Sequence, residues 1–234
     1  MSLLPSFTTS TFADRLIHTD ENNFLAGPDA VLKSTVTDSG SSPTTSIRKG
    51  QCIVKKTSDG LYYLDDGLAN ASSADRNAAA VVTASETADG DWASKTITVT
   101  TLGGKRTVTL GGADDTDAEV VTAWNADADG KSLAVASASG GRVIFTSTAK
   151  GAHVHMLVES NLTTAFGTSG TAASGTDADY LITEQDVSML HPATNAVADR
   201  PVRTSRKANY DESELLNLSA EARSVFARRG ASFG

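Results

Sequence analysis

A single cysteine, Cys52, stands in 234 residues, so no disulfide can form within the chain. The fold must be held by burial, hydrogen bonding or association with other chains. Aromatic residues are scarce, at 6% of the sequence, and such a composition argues against one large enzyme core and for one or two modest domains with thin cores. Long apolar runs are missing too. A membrane-spanning helix needs about 20 predominantly apolar residues, and the longest candidate, residues 78–84, falls far short of that. The N-terminus has neither the basic start nor the apolar stretch of a signal peptide, so secretion is not expected. Positive charge is in deficit. Twenty Lys and Arg against 28 Asp and Glu leave a net charge of -8 and a pI near 4.9. An excess of that sign repels phosphate backbones, so neither nucleic acid nor a membrane is an expected partner.

What the chain has in quantity is Ala, Thr, Ser and Gly, which suits short strands joined by tight turns. The expected fold class is therefore mainly β with short helices. Residues 1–30 carry Leu3, Leu4, Phe7, Phe12, Leu16, Ile17, Phe24 and Leu25 with no sustained period of 2 or 3.6. They read as an extended, adhesive arm, because a solvated tail has fewer large apolar groups. From residue 30 to 82 the pattern is β-like: Val31 and Leu32, then 47–54, then 61–64, then 78–83, with turns at 55–60 and 65–67. This predicts a small antiparallel meander.

Residues 85–179 read as an inserted unit. Strands at 95–102 and 106–110 are joined by Gly103 and Gly104, and strands at 133–138 and 142–147 by Gly140 and Gly141. Thr116 and Glu119 have the capping-box spacing, in which the hydroxyl takes an orphan amide and the Glu reaches back. Val120, Val121 and Trp124 then put an apolar stripe on a short helix. A last strand at 154–158 completes a ββαβββ order, and residues 168–179, rich in Gly, Ser, Thr and Ala, read as a flexible linker. Residues 31–84 and 180–234 read as the parent domain that the insert interrupts. It resumes with strands near 180–182 and 197–206 and ends in a helix capped by Ser219 and closed by Gly230.

Catalytic signals are few. Asn125, Asp127, Asp129 and Gly130 copy the opening of an EF-hand loop, but the twelfth position is Ala136, where calcium needs a bidentate carboxylate. A solvated acidic turn is the expected role, and no metal or other cofactor is assigned. His153 and His155, at i and i+2, would share one strand face but lack a third ligand nearby. No Gly-x-Ser-x-Gly elbow appears, and neither Gly103-Gly104-Lys105 nor residues 167–170 have the spacing of a phosphate-binding loop. No catalytic residue is assigned, and the expected class is non-enzymatic.

Two stretches carry a family resemblance. One is residues 47–54 (Ile-Arg-Lys-Gly-Gln-Cys-Ile-Val), continued through Tyr63, Asp66, Gly67 and 78–82. The other is residues 202–233, a strand, then Tyr-Asp-Glu-Ser-Glu-Leu at 210–215, then a helix ending in Gly230. In type and order these parts resemble the head decoration proteins of tailed phages, the lambda capsid-stabilising type. The resemblance implies a small β-tulip-like domain that binds the outer surface of the expanded capsid as homotrimers, on the virion, after synthesis in the host cytoplasm. Its implied partner is the major capsid protein, contacted by an N-terminal arm whose anchors here would be Phe7, Phe12, Leu16 and Ile17. The insert departs from the compact members. Through residues 109–112, 119–121, Asn125, 142–147 and 151–152 it resembles a small module found in phage virion proteins. An alternative reading is a tail or fibre component whose insert binds carbohydrate or a host surface, with Trp92 and Trp124 as stacking candidates.

Overall fold

The computed structural model describes residues 18–37, 44–65, 76–85 and 91–234, with the side chains of 18–23 excepted. The anchors Phe7, Phe12, Leu16 and Ile17 lie outside the described residues. The chain forms two compact units, one from Met1–Asp75 with Asp179–Gly234 and the other from Arg76–Ala178. Both are mainly β with short helices.

The first unit opens with β1 (His18–Ala26), β2 (Ala30–Leu32), β3 (Ser46–Ile47), β4 (Cys52–Lys55) and β5 (Tyr62–Leu64). In β4 and β5 successive residues are buried, Cys52, Ile53 and Val54 against Tyr62, Tyr63 and Leu64, as in strands covered on both faces. Their antiparallel ladder pairs Ile53 with Leu64 and Val54 with Tyr63. The turn between them needs Gly60, at φ +74, where a side chain would be strained.

The second unit runs β6 (Ala79–Thr83), β7 (Thr96–Thr101), β8 (Gly104–Thr109), α1 (Asp117–Ala126), α2 (Ala128–Leu133), β9 (Ala134–Ser139), β10 (Arg142–Lys150), β11 (His155–Ser160), α3 (Thr163–Phe166) and β12 (Thr171–Ser174). Both glycine hairpins form, β7 with β8 and β9 with β10. The capping box at Thr116 is complete, with Glu119 N–H donating to the Thr116 hydroxyl at 3.3 Å and Thr116 N–H to the Glu119 carboxylate at 3.0 Å. Sheets β6-β10-β9 and β12-β11-β7-β8 contribute inward residues to one core with α1 and α3. At its centre Phe145 meets Trp124 edge-on at 5.2 Å and Phe166 at 6.1 Å.

Three expectations for this unit are corrected. Residues 78–83 belong here and not to the first unit, because Ala80 and Val82 face the Trp124 and Phe145 core while β6 pairs with β10. The stretch after Gly130 begins as a helix, since Asp127 caps α2 by accepting from Gly130 N–H at 2.7 Å. The supposed linker at 168–179 contains β12, whose main chain pairs with β11 although its side chains are small.

The chain returns to the first unit through β13 (Tyr180–Thr183), β14 (Val187–Ser188), β15 (Arg200–Val202), β16 (Thr204–Tyr210), a 3-10 turn at Glu212–Glu214, α4 (Ala220–Arg228) and β17 (Ser232–Phe233). The sheet order is β1-β16-β13-β4-β5-β2-β15, with β17 beside β16. The expected meander is thus replaced by strands drawn from both halves of the chain. β1 and β2 stand five spacings apart in that order, as do β16 and β15, which in a flat sheet would be about 24 Å. Only Gly27, Pro28 and Asp29 join the first pair, and Arg203 alone the second, links that reach at most about 14 Å and about 7 Å. The sheet therefore curls until its margins meet, where Gly27 N–H donates to Thr204 O and the Thr204 hydroxyl to Pro28 O, each at 2.8 Å. Leu32, Ile53, Leu64, Leu181 and Val202 fill the core. Tyr210 packs on Phe226 of α4.

Part of the stretch expected as an arm, residues 1–30, belongs to the sheet. His18–Ala26 is a strand paired with β16, and Ala30 is buried in β2. Register shifts after His18, Asp20 and Leu25 break the alternation that would have revealed the strand.

Candidate functional site

A hollow of the first unit lies beside β1. It holds about 570 Å³ and is lined by Phe24 and Ala26 of β1, Gly27 and Asp29 of the link, Glu184 and Gln185 after β13, and Arg203 and Thr204. Gly27 forms its floor because a Cβ there would come within 2.2 Å of the Thr204 hydroxyl. Phe24 and Leu25 are 43% and 55% exposed, large apolar side chains left in solvent at a sheet margin. Among the described residues β1 pairs with β16. Phe24 and Ala26 give it apolar lining, and Asp29, Glu184 and Arg203 charged lining.

Two polar ties hold this unit together. Asp179 accepts from the Tyr62 hydroxyl at 2.6 Å and from Arg206 at 3.3 Å, and its main-chain oxygen takes Lys55 N–H at 3.1 Å. Burial first, then the bond to Asp179, holds the Tyr62 phenol above the usual tyrosine range. Burial and the bond to Asp59 push Tyr63 up to about 12. The second tie is Asp65, buried at the end of β5, which accepts from the Ser219 hydroxyl at 2.6 Å as Ser219 caps α4. Asp65 reads in sequence as part of a polar turn, and no local signal betrays its burial, since Ser219 lies 154 residues away.

The residues singled out from sequence have other duties. Asn125 is spent on Ala136, donating to its oxygen at 2.8 Å and accepting from its N–H at 3.0 Å. Asp127 caps α2 and pairs with Arg106. Asp129 points outward, 3.6 Å from Arg106. Among the described residues no three His, Cys, Asp or Glu converge in a way that could hold a metal. His153 lies in the turn before β11, so it does not share a strand face with His155, whose ring meets the Ser174 hydroxyl at 2.8 Å. Trp92 and Trp124 are fully buried, which removes both as carbohydrate-stacking platforms. Trp124 instead donates from Nε1 to Ala134 O at 2.9 Å.

No protein-family model and no curated protein sequence matches the chain. Among solved structures it is similar to the D2–D3 domains of the flagellar cap protein FliD from Serratia marcescens, at 11% identity and a TM-score of 0.39 over 80% of this chain and 95% of that one. The D1–D2–D3 domains of FliD from Escherichia coli give 14% identity and a TM-score of 0.41 over 76% of this chain and 58% of that one. A likeness this distant carries no argument about role.

Proposed function

We propose that this protein is a non-enzymatic virion protein that binds the outer surface of an expanded phage head as trimers and stabilises it. The reading is carried by one observation. Of the two stretches that resemble the decoration family, 47–63 and 202–233 are widely separated in sequence yet enter one curled sheet, in which β4 and β16 flank β13 and α4 packs on Tyr210, whereas 78–82 of the first stretch pairs with β10 in the other unit. The intervening residues that depart from the family make a unit of their own.

The mechanism is linkage. A ligand that binds only the expanded lattice stabilises it by RT ln(1 + [L]/Kd), about 2.7 kcal/mol per site at a hundredfold excess over Kd, repeated over every site. The arm residues Phe7, Phe12, Leu16 and Ile17 fill pockets on the major capsid protein, and the exposed side chains of Phe24 and Leu25 extend the same contact surface. Trimers bury apolar surface that a thin-cored monomer leaves wet.

The test is a density-gradient spin of the purified protein with undecorated expanded heads, followed by cryo-EM of the banded particles. Co-sedimentation with threefold density outside the shell is expected. Failure to band with heads, or monomers on the shell, would remove the reading.

A further inference from the structure

We infer that residues 76–178 are an independent folding module, which unfolds and refolds without the first unit and whose loss leaves that unit intact. Each unit has its own core: Trp92, Val120, Trp124, Phe145 and Phe166 lie in one cluster, and Leu32, Ile53, Leu64, Leu181 and Val202 in another. The module is also closed at its base by its own bonds. Ala78 and Thr176 exchange main-chain hydrogen bonds at 2.8 and 3.2 Å, and Ala178 N–H donates to the Asn77 side chain at 2.9 Å. Gly151 N–H adds a fourth bond, to Ala78 O at 2.9 Å. Two glycines permit this closure, because a Cβ on Gly175 would come within 2.5 Å of Ala78 O and 2.6 Å of Gly151 O.

The module's two ends are thus joined by a β-bridge and a side-chain bond inside it, so its entropy of closure is met by internal contacts and not by the unit that carries it. The first unit closes the junction separately, through Asp179 with Tyr62, Arg206 and Lys55. A segment with its own core and its own closed ends behaves as a cooperative unit. The inference stands whether or not the protein binds a capsid.

Nature has labelled the two units differently. Both tryptophans, Trp92 and Trp124, lie in the module, and all four tyrosines, Tyr62, Tyr63, Tyr180 and Tyr210, lie in the first unit. Urea unfolding of the full chain, followed by tryptophan fluorescence and by second-derivative tyrosine absorbance, therefore reads each unit alone. Phe145→Ala and the milder Phe145→Leu should lower the tryptophan midpoint and leave the tyrosine midpoint unmoved, and Phe226→Ala should do the reverse. A module that no longer folds in Phe145→Ala beside an unchanged tyrosine transition also supports the inference. Midpoints that fall together in either variant would overturn it.

Discussion

Arg106 of β8 grips Asp127 at two points, Nε 3.0 Å from Oδ1 and Nη2 2.6 Å from Oδ2, and so ties the first hairpin of the module to the start of α2. The same carboxylate accepts from Gly130 N–H. An acidic string that resembles a cation loop is thereby consumed by the chain's own guanidinium and amide donors.

Asp127→Asn should keep the cap and lose the ion pair, while Asp127→Ala loses both, so module stability should fall in the order wild type, Asn, Ala. The Arg106 bond, followed by the Gly130 amide, holds the Asp127 carboxyl below its usual value of 3.8. A depressed pKa contributes stability that is present above the unfolded value and lost as pH falls through the folded one. The gap between wild type and Asp127→Asn should therefore be full at neutral pH and close below 3.8. Tryptophan-monitored urea midpoints across that range check it.

Added calcium should leave the unfolding midpoint unchanged, since Asn125 and Asp127 are already engaged and the twelfth-position carboxylate is absent. Calorimetric titration with a calcium salt would show otherwise by a saturable heat.

Both tryptophans should emit in the blue and resist acrylamide, and soluble sugars should leave their emission unaltered. Trp124→Phe keeps the ring contact with Phe145 but strands Ala134 O, at a cost of about 1–3 kcal/mol read by chemical denaturation.

Removing residues 2–17 should abolish head binding and leave the circular dichroism melt unchanged, because the truncation spares β1 and every described strand after it. Removing residues 2–26 takes away β1 and exposes the edge of β16, so the melt itself should fall. Equal melts for the two truncations would mean that β1 adds nothing to the sheet.

Gly175→Ala drives a methyl into Ala78 O and Gly151 O and should destabilise the module by about 1–3 kcal/mol, with the tyrosine signal of the first unit unaffected. Paired tryptophan and tyrosine melts measure both halves.

The sequence by itself determined the elements whose signals are local. Thr116 and Glu119 started α1, Ser219 and Gly230 bounded α4, and the glycine pairs at 103–104 and 140–141 turned two hairpins, each because donor, acceptor or positive φ sits within a few residues. Composition was enough for the β-rich class. Only the tertiary structure decided which unit owns β6, whose Ala80 and Val82 read equally well in either, and made β12 a strand, since Thr171 to Ser174 have no large side chain to announce it. The same holds for the candidate site. Its lining comes from Phe24, Gly27, Glu184 and Arg203, residues far apart in sequence that meet because β1, β16 and β13 are neighbours in one sheet. Main-chain pairing between distant segments and the burial of Asp65 under Ser219 leave no periodic trace, because a ladder hydrogen bond is indifferent to side-chain type and its partner can lie anywhere in the chain.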